Sequence, residues 1–132
     1  MTLVVDASAI VALIAGEPEA RQIAEVLAQS DDIWATSMNI AEAGLVLILR
    51  DKRLRIDDYR AWLDDQRIKE FDSAISDGVL DAYLRYGKGV HRARLNVGDC
   101  FAYALAKALD APLLFKGDDF IFTDVKSALQ PM

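Results

Sequence analysis

The sequence predicts an α/β fold in which a short, mostly parallel central sheet is flanked by helices. Short apolar runs alternate along the chain with segments of helical character, and this alternation is typical of parallel strands joined by helical crossovers. The first run, residues 3–5, contains only Leu and Val, as expected of a strand that is buried on both faces. A chain of 132 residues has the length of one domain, so residues 1–132 are assigned to a single domain.

Two helices and a second strand are predicted to follow the first strand. Residues 7–15 form a short helix that is broken at Gly16. Pro18 suits the first turn of a second helix, which runs to about residue 29, because proline lacks the N–H that this turn leaves unpaired. The second strand is predicted at residues 33–35.

The middle of the chain is predicted to hold a long helix, a shorter helix and a third strand. Thr36 or Ser37 is a suitable N-terminal cap for a helix that continues to about residue 50. Asp57 is expected to begin the next helix, and the third strand is predicted at residues 69–71.

Two more helices are predicted before the last strand. Asp72 or Ser73 is expected to cap a helix that ends at Gly87, a usual position for glycine after a helix. Asn96 is expected to cap a second helix over residues 97–109.

Composition excludes several classes of protein. The net charge of −6 argues against a protein that coats nucleic acid by bulk charge alone. The single cysteine, Cys100, excludes an internal disulfide and favours a cytoplasmic protein. The longest uncharged stretch, residues 7–16, is far shorter than the roughly 20 apolar residues that span a bilayer, so no membrane association is expected.

Acidic residues fall where the predicted strands end. Asp6 directly follows the first strand, and Asp118 and Asp119 follow the apolar run at residues 113–115, which predicts the fourth strand. Because sites in parallel sheets form at the carboxyl ends of strands, these acids are expected at one edge of the sheet. Asp99, in the first turn of the helix that feeds the fourth strand, is expected at the same edge. Each acid alone also fits an ordinary turn or helix-start position.

Glu42 and Ser8 each have two interpretations. Glu42 lies at helical spacing from Met38, Leu45 and Leu49, and an acid in an apolar stripe is costly unless it is paired, protonated or bound to a cation. A buried ion pair and a cation site therefore both remain open for Glu42. Ser8 can donate its hydroxyl to the Asp6 carboxylate, or it can cap the first helix.

Together the acids indicate a site for a divalent cation. Clustered carboxylates repel one another unless a cation neutralises them, and oxygen ligands with few imidazoles or thiols suit Mg²⁺ or Mn²⁺. The one histidine, His91, cannot form a zinc site without other ligands.

Four segments in order resemble the signature segments of one enzyme family. They are VVDASAI at 4–10, NIAEAG at 39–44, LNVGDCFAYALAKAL at 95–109 and LLFKGDDFIFTDV at 113–125. These segments resemble the PIN-domain ribonucleases and, more narrowly, the VapC toxins of bacterial VapBC toxin–antitoxin pairs. The resemblance implies a PIN-like three-layer α/β/α fold and a Mg²⁺- or Mn²⁺-dependent endoribonuclease. It also implies a homodimer that a cognate VapB-type antitoxin inhibits in a toxin–antitoxin hetero-oligomer.

The acidic quartet of that family carries over to four residues of this sequence, namely Asp6, Glu42, Asp99 and Asp119. Asp118 falls where the family pattern varies, and it is assigned an auxiliary role, as is Ser8. Whether Asp118 or Asp119 is the fourth acid of the site stays open. Asp6 and Asp99 are expected to hold one cation, with Glu42 and Asp119 near the position of a second, and the number of ions stays open. Activated water is the expected nucleophile, since no pair of histidines is present to support attack by the RNA 2′-hydroxyl.

RNA binding by an acidic protein requires local positive charge. Arg85, Lys88, Arg92 and Arg94 lie in an acid-free stretch between Asp81 and Asp99, and this basic loop is expected to contact the RNA backbone. The alternative is a solvated charged loop. The helix at residues 56–66 and the helix before it are candidate surfaces for the antitoxin or for a second copy of the chain.

Two other classes that use strand-end acids fit less well. A receiver-type phosphotransfer domain needs adjacent acids after its first strand and a phosphoacceptor Asp after a central one, whereas residues 34–36 are Trp-Ala-Thr. A haloacid-dehalogenase-type phosphatase needs a second Asp where Ser8 stands.

Overall fold

A computed structural model describes residues 1–50 and 54–129, and within them it contains four strands and six helices. In chain order these elements are β1 (Thr2–Val5), α1 (Ala7–Ala15), α2 (Ala20–Gln29), β2 (Asp32–Thr36), α3 (Ser37–Arg50), α4 (Ile56–Asp65), β3 (Ile68–Phe71), α5 (Ser76–Tyr86), α6 (Val97–Ala108) and β4 (Leu113–Leu114). No helix in these two described ranges combines the length and the apolar composition that crossing a membrane requires.

All four strands are parallel and lie in the order β3-β2-β1-β4. β1 pairs with β2 through Leu3 and Ile33, and on its other side it pairs with β4 through Val4 and Leu113. The strand order therefore reverses at β1, which makes the gap between β1 and β4 a topological switch point. In sheets of this kind the crevice for ligands opens there, at the carboxyl ends of the strands.

Alternate residues of the strands face two separate cores. Leu3 and Val5 of β1 pack with side chains from α1 to α4, whereas Val4 packs with side chains from α5 and α6. This alternation places helices on both faces of the sheet, since successive strand residues point to opposite sides. The predicted three-layer α/β/α class with a parallel sheet is confirmed.

Several element boundaries differ from the prediction. α5 begins at Ser76 after Ile75, which makes no capping hydrogen bond through its side chain, so the predicted caps Asp72 and Ser73 are wrong. Gly87 does follow α5, but its φ of −70° is an ordinary extended value and not the left-handed conformation of a glycine cap. α2 begins at Ala20, two residues beyond Pro18.

Candidate functional site

Four carboxylates line one cleft at the switch point. Asp6, Glu42, Asp99 and Asp119 share a cleft of about 320 Å³ whose polar lining also includes Ser8, Glu17, Arg50, Asn96 and Lys116. Asp6 comes from the end of β1 and Asp119 from the turn after β4, while α3 and α6 supply the other two acids. The structure therefore brings together all four residues of the predicted quartet.

Asp6 is the most deeply buried of the four acids, with 4% of its surface exposed. Its Oδ2 accepts hydrogen bonds from the Ser8 N–H at 3.0 Å and from the Ser8 hydroxyl at 2.6 Å. Asp6 is thus the cap of α1, and Ser8 orients its carboxylate. The other oxygen, Oδ1, is buried and has no hydrogen-bond partner in the described part of the chain.

Burial also changes the acidity of Asp6. Loss of hydration raises the pKa of this carboxyl to about 6, and the nearby charge of Glu42 adds to the rise. The hydrogen bonds from Ser8 oppose it because they stabilise the ionised form. A buried carboxylate with an unsatisfied oxygen is costly, and a cation on that oxygen would remove the cost.

Asp99 has two roles at the first turn of α6. Its Oδ2 accepts the Asn96 N–H at 3.0 Å, while the Asn96 side chain accepts the Asp99 N–H at 2.8 Å, which is a complete capping box. Asp99 also lines the cleft, where burial raises its pKa to about 6 and the charges of Asp6 and Asp119 contribute. The helix-start role of Asp99 is therefore confirmed, and it leaves the residue in the cleft with the other acids.

The prediction that Glu42 lies within an apolar stripe that is buried in the core is wrong. Met38, Leu45 and Leu49 are exposed by 38%, 61% and 71%, so Glu42 does not lie in a buried apolar stripe. The opposite face of α3 is the buried one. Glu42 lies at the border between the exposed face and the buried face, and its side chain lines the cleft. Partial burial raises the pKa of Glu42, and the charge of Asp99 raises it further.

The two adjacent acids after β4 point to different places. Asp119 lines the cleft with the other acids, whereas Asp118 lines a neighbouring concavity together with Phe115 and Phe120. Gly117, with a φ of +98°, makes the turn that separates the acids from the strand. The auxiliary position assigned to Asp118 is thus outside the acidic cleft.

The donor set of the cleft suits a hard divalent cation. The candidate ligands are all carboxylate oxygens, and one of them is the buried Asp6 Oδ1, to which no described residue donates a hydrogen bond. The two described ranges contain no ready-made group of three Asp, Glu, His or Cys side chains at metal-binding geometry. A bound ion would therefore use few protein ligands and keep several waters, as Mg²⁺ commonly does.

Sequence reasoning missed the part that Lys116 plays here. Its backbone N–H donates to Ser8 Oγ at 3.0 Å, and its ammonium group lies 3.1 Å from a Glu17 carboxylate oxygen at the rim of the cleft. The position of Lys116 in the sequence could have indicated that it lies near the cleft, since it follows the last predicted strand in the same turn as Asp119.

The basic loop does not enter the acidic cleft. Lys88, Arg92 and Arg94 line a separate concavity, and Arg85 lies on the last turn of α5, 3.8 Å from Asp81. One contact joins this loop to the segment after Asp119, because the Arg92 guanidinium lies over the Phe122 ring at 4.4 Å from its centroid. The loop therefore lies beside the chain segment that carries Asp119.

Comparisons with known proteins give one consistent result. The PIN domain family model matches residues 3–126. The chain is 38% identical over 125 residues to Ribonuclease VapC of Mycolicibacterium smegmatis, and the match covers 93% of this chain and 97% of that protein. Among solved structures it resembles Mycobacterium tuberculosis VapC20, described as a Sarcin-Ricin loop cleaving toxin, with a TM-score of 0.73 at 14% identity, covering 98% and 99% of the two chains. It also resembles VapBC2 from Rickettsia felis, solved with a DNA fragment from its promoter, with a TM-score of 0.62 at 18% identity and 96% coverage of both chains.

Proposed function

The chain belongs to the PIN-domain family, among its VapC ribonucleases, and from that premise we propose that it is a Mg²⁺- or Mn²⁺-dependent endoribonuclease. Its substrate is RNA, and its biological role is that of the toxin in a type II toxin–antitoxin pair. The proposal includes a cytoplasmic location, which the single cysteine and the absence of any disulfide framework support.

The observation that carries the proposal is the Asp6 Oδ1 atom, which is buried within a set of four carboxylates and has no hydrogen-bond partner among residues 1–50 and 54–129. Burial and the charges of neighbouring carboxylates raise the pKa of both Asp6 and Asp99 to about 6, and near pH 7 the acids that line the cleft outnumber its basic residues, Arg50 and Lys116. A divalent cation removes this repulsion and satisfies the buried oxygen. Asp6 and Asp99 are the proposed principal ligands, with Glu42 and Asp119 beside them.

A bound Mg²⁺ or Mn²⁺ supplies charge neutralisation for the scissile phosphate and a lowered pKa for the attacking water. Hydrogen bonds within the chain fix the carboxylates that would hold the ion. Ser8 fixes the Asp6 carboxylate from one side, and the capping box with Asn96 fixes Asp99. Lys116 offers a positive charge at the rim, where an RNA phosphate would approach.

RNA is proposed to extend from the cleft towards the basic loop. Lys88, Arg92 and Arg94 line one concavity, and their charges would attract phosphates that the acidic body of the protein repels. Arg85 is proposed to join them from the end of α5. The contact between Arg92 and Phe122 supports this path because it links the loop to the segment after Asp119.

An antitoxin and a second copy of the chain are the proposed protein partners. Leu45, Leu49 and Ile56 are exposed by 61%, 71% and 73% along α3 and the start of α4, which supports this surface as the antitoxin contact. Leu45 and Leu49 lie one helical turn apart on α3, and exposed apolar side chains that adjoin one another are usual at protein interfaces. The homodimer and the toxin–antitoxin hetero-oligomer are part of the same proposal.

Cleavage of RNA by the purified protein tests the proposed activity. Cleavage is expected to stop when EDTA removes divalent cations and to return when Mg²⁺ or Mn²⁺ is added in excess. The variant Asp99→Asn serves as the control against a contaminating nuclease, and it should remain inactive under both conditions. Full activity in excess EDTA would contradict the cation-dependent mechanism.

A further inference from the structure

The Glu42 carboxylate lies directly against Gly98, in the first turn of α6. A Cβ atom placed on Gly98 would lie 2.7 and 2.8 Å from the two carboxylate oxygens of Glu42 and 3.0 Å from the carbon between them. Separations below 3.0 Å are essentially never adopted by real Cβ atoms. Only a glycine at position 98 therefore leaves the Glu42 carboxylate where it is.

Gly98 is itself held in place from α3. The fully buried Asn39 donates from its side-chain nitrogen to the Gly98 carbonyl at 3.0 Å. Its side-chain oxygen accepts the Thr36 hydroxyl at 2.5 Å, and the Thr36 oxygen accepts the Asn39 N–H at 3.0 Å. The start of α3 is thus fixed to the first turn of α6, one residue before Asp99.

We propose that Gly98 is a positioning residue that sets the Glu42 carboxylate beside Asp99, so that both carboxylates act on one divalent cation. The inference rests on the proposed cation site. Gly98 makes no contact with the ion or with RNA in this role, and it acts only through the space that it leaves for Glu42. The same space is not needed for folding, because the atoms that would be displaced are the end of one flexible side chain.

The variant Gly98→Ala separates this role from a structural one. Alanine is the better helix former, so the metal-free variant should melt at the same temperature as the wild type or above it. Its added methyl group should displace the Glu42 carboxylate and weaken the binding of Mn²⁺, measured by calorimetry on the metal-free protein, by about tenfold or more. RNA cleavage should fall in parallel.

Gly78 provides the matched control, since it also lies in a helix. A Cβ atom on Gly78 would meet the Ala104 Cβ at 3.4 Å, which is an ordinary contact. Gly78→Ala should therefore resemble Gly98→Ala in melting temperature while its Mn²⁺ affinity and its cleavage stay at the wild-type values.

The same Gly98→Ala substitution, made in a protein that already carries Glu42→Asp, tests whether Gly98 acts through Glu42. In a Glu42→Asp protein the shorter side chain withdraws from the added methyl group, so Gly98→Ala should cause no further loss of Mn²⁺ affinity there. An equal loss in both backgrounds would overturn the inference, as would a Gly98→Ala protein that binds Mn²⁺ as tightly as the wild type. A wild-type protein that does not bind Mn²⁺ would instead overturn the proposed function, and the inference with it.

Discussion

The backbone N–H of Lys116 donates to the hydroxyl oxygen of Ser8 at 3.0 Å, across the gap between β4 and α1. The same Ser8 hydroxyl donates to Asp6 Oδ2 at 2.6 Å. One serine thus joins the turn that carries Asp119 to the carboxylate at the end of β1. The Ser8 hydroxyl therefore supports the relative position of two of the four acids, together with the backbone hydrogen bond from the Asp6 N–H to the Leu114 carbonyl at 2.9 Å.

Removing that hydroxyl should affect stability and cleavage together. Ser8→Ala breaks both hydrogen bonds, so we expect it to lower the free energy of unfolding by about 1–2 kcal/mol. Cleavage should fall about tenfold, because the two hydrogen bonds that link Asp6 to the turn after β4 through Ser8 are lost. Urea denaturation and an RNA cleavage assay measure the two effects.

Ser127 is the matched control, since its hydroxyl also makes two hydrogen bonds, to the Leu129 carbonyl and from the Leu129 N–H, away from the acidic cleft. Ser127→Ala should leave cleavage unchanged. Equal losses of cleavage in the two variants would contradict the linking role of Ser8.

The stability of the metal-free protein should fall as the pH rises through about 6. The pKa values of Asp6 and Asp99 are about 6 in the folded protein, against 3.8 for an ordinary aspartate, so the folded state retains protons that the unfolded state has released. Stability from these groups is complete below about pH 4 and is lost between pH 4 and 6. For Asp6 the loss is at most about 3 kcal/mol, because one pKa unit corresponds to about 1.4 kcal/mol.

Urea titrations at pH 5 and pH 7.5 measure this dependence. Added Mg²⁺ should restore stability at pH 7.5 and have a smaller effect at pH 5, where protons neutralise most of the charge of Asp6 and Asp99. In Asp6→Asn the fall between the two pH values should be smaller. A fall in stability between pH 5 and pH 7.5 that is equally large in the wild type and in Asp6→Asn would contradict the raised pKa of Asp6.

Asp99→Asn should separate catalysis from folding. The asparagine side-chain oxygen can still accept the Asn96 N–H, so the capping box is retained while one negative charge is removed. We expect the metal-free variant to be as stable as the wild type or more stable, because repulsion with Asp6 and Asp119 falls. Its stabilisation by Mg²⁺ should shrink, and cleavage should fall by orders of magnitude.

Thermal melts of both proteins with and without Mg²⁺ measure these effects. If Asp99 served only as a helix-start acid, the variant would lose up to about 1 kcal/mol and would keep its response to metal.

The adjacent acids after β4 form a matched pair of variants. Asp119→Asn should reduce cleavage at least about a hundredfold, because Asp119 lines the cleft and interacts with Asp99. Asp118→Asn should reduce cleavage only a few fold, because Asp118 lines the neighbouring concavity. Steady-state rates of RNA cleavage, measured at saturating Mg²⁺, should rank the two in this order, and the reverse order would exclude Asp119 as the fourth site acid.

Neutralising the basic loop should change RNA binding more than metal binding. In the triple variant of Lys88, Arg92 and Arg94 to Gln, each lost phosphate contact should reduce the slope of log affinity against log salt by about 0.7. This slope is obtained from the binding of a single-stranded RNA over a range of salt concentrations. The Asp99→Asn substitution is included in each protein so that the RNA is not cleaved during the measurement. Arg21→Gln is the control, since the Arg21 side chain is 91% exposed on α2 and should leave the slope unchanged. An unchanged slope in the triple variant would identify the basic loop as a solvated surface.

Most of the fold could be predicted because local patterns determine it. The apolar run of β1 and the cap at Asn96 each specify an element through neighbouring residues alone, and both lie where they were predicted. The predicted cap at Asp72 or Ser73 was wrong, since a capping side chain is favourable at a helix start but is not required there. A sequence shows which residues could cap a helix, whereas packing decides where the helix begins.

The sequence by itself determined the sheet, the layers and the strand-end position of Asp6, because spacing along the chain fixes which edge a residue reaches. Only the tertiary structure decided that Met38, Leu45 and Leu49 are exposed and that Asp119, not Asp118, joins the cleft. It also decided that Glu42 rests against Gly98, a residue far along the chain on a different helix. Periodicity defines the faces of a helix, but the neighbours that pack against each face come from distant segments, and their positions follow from the packing of the whole chain.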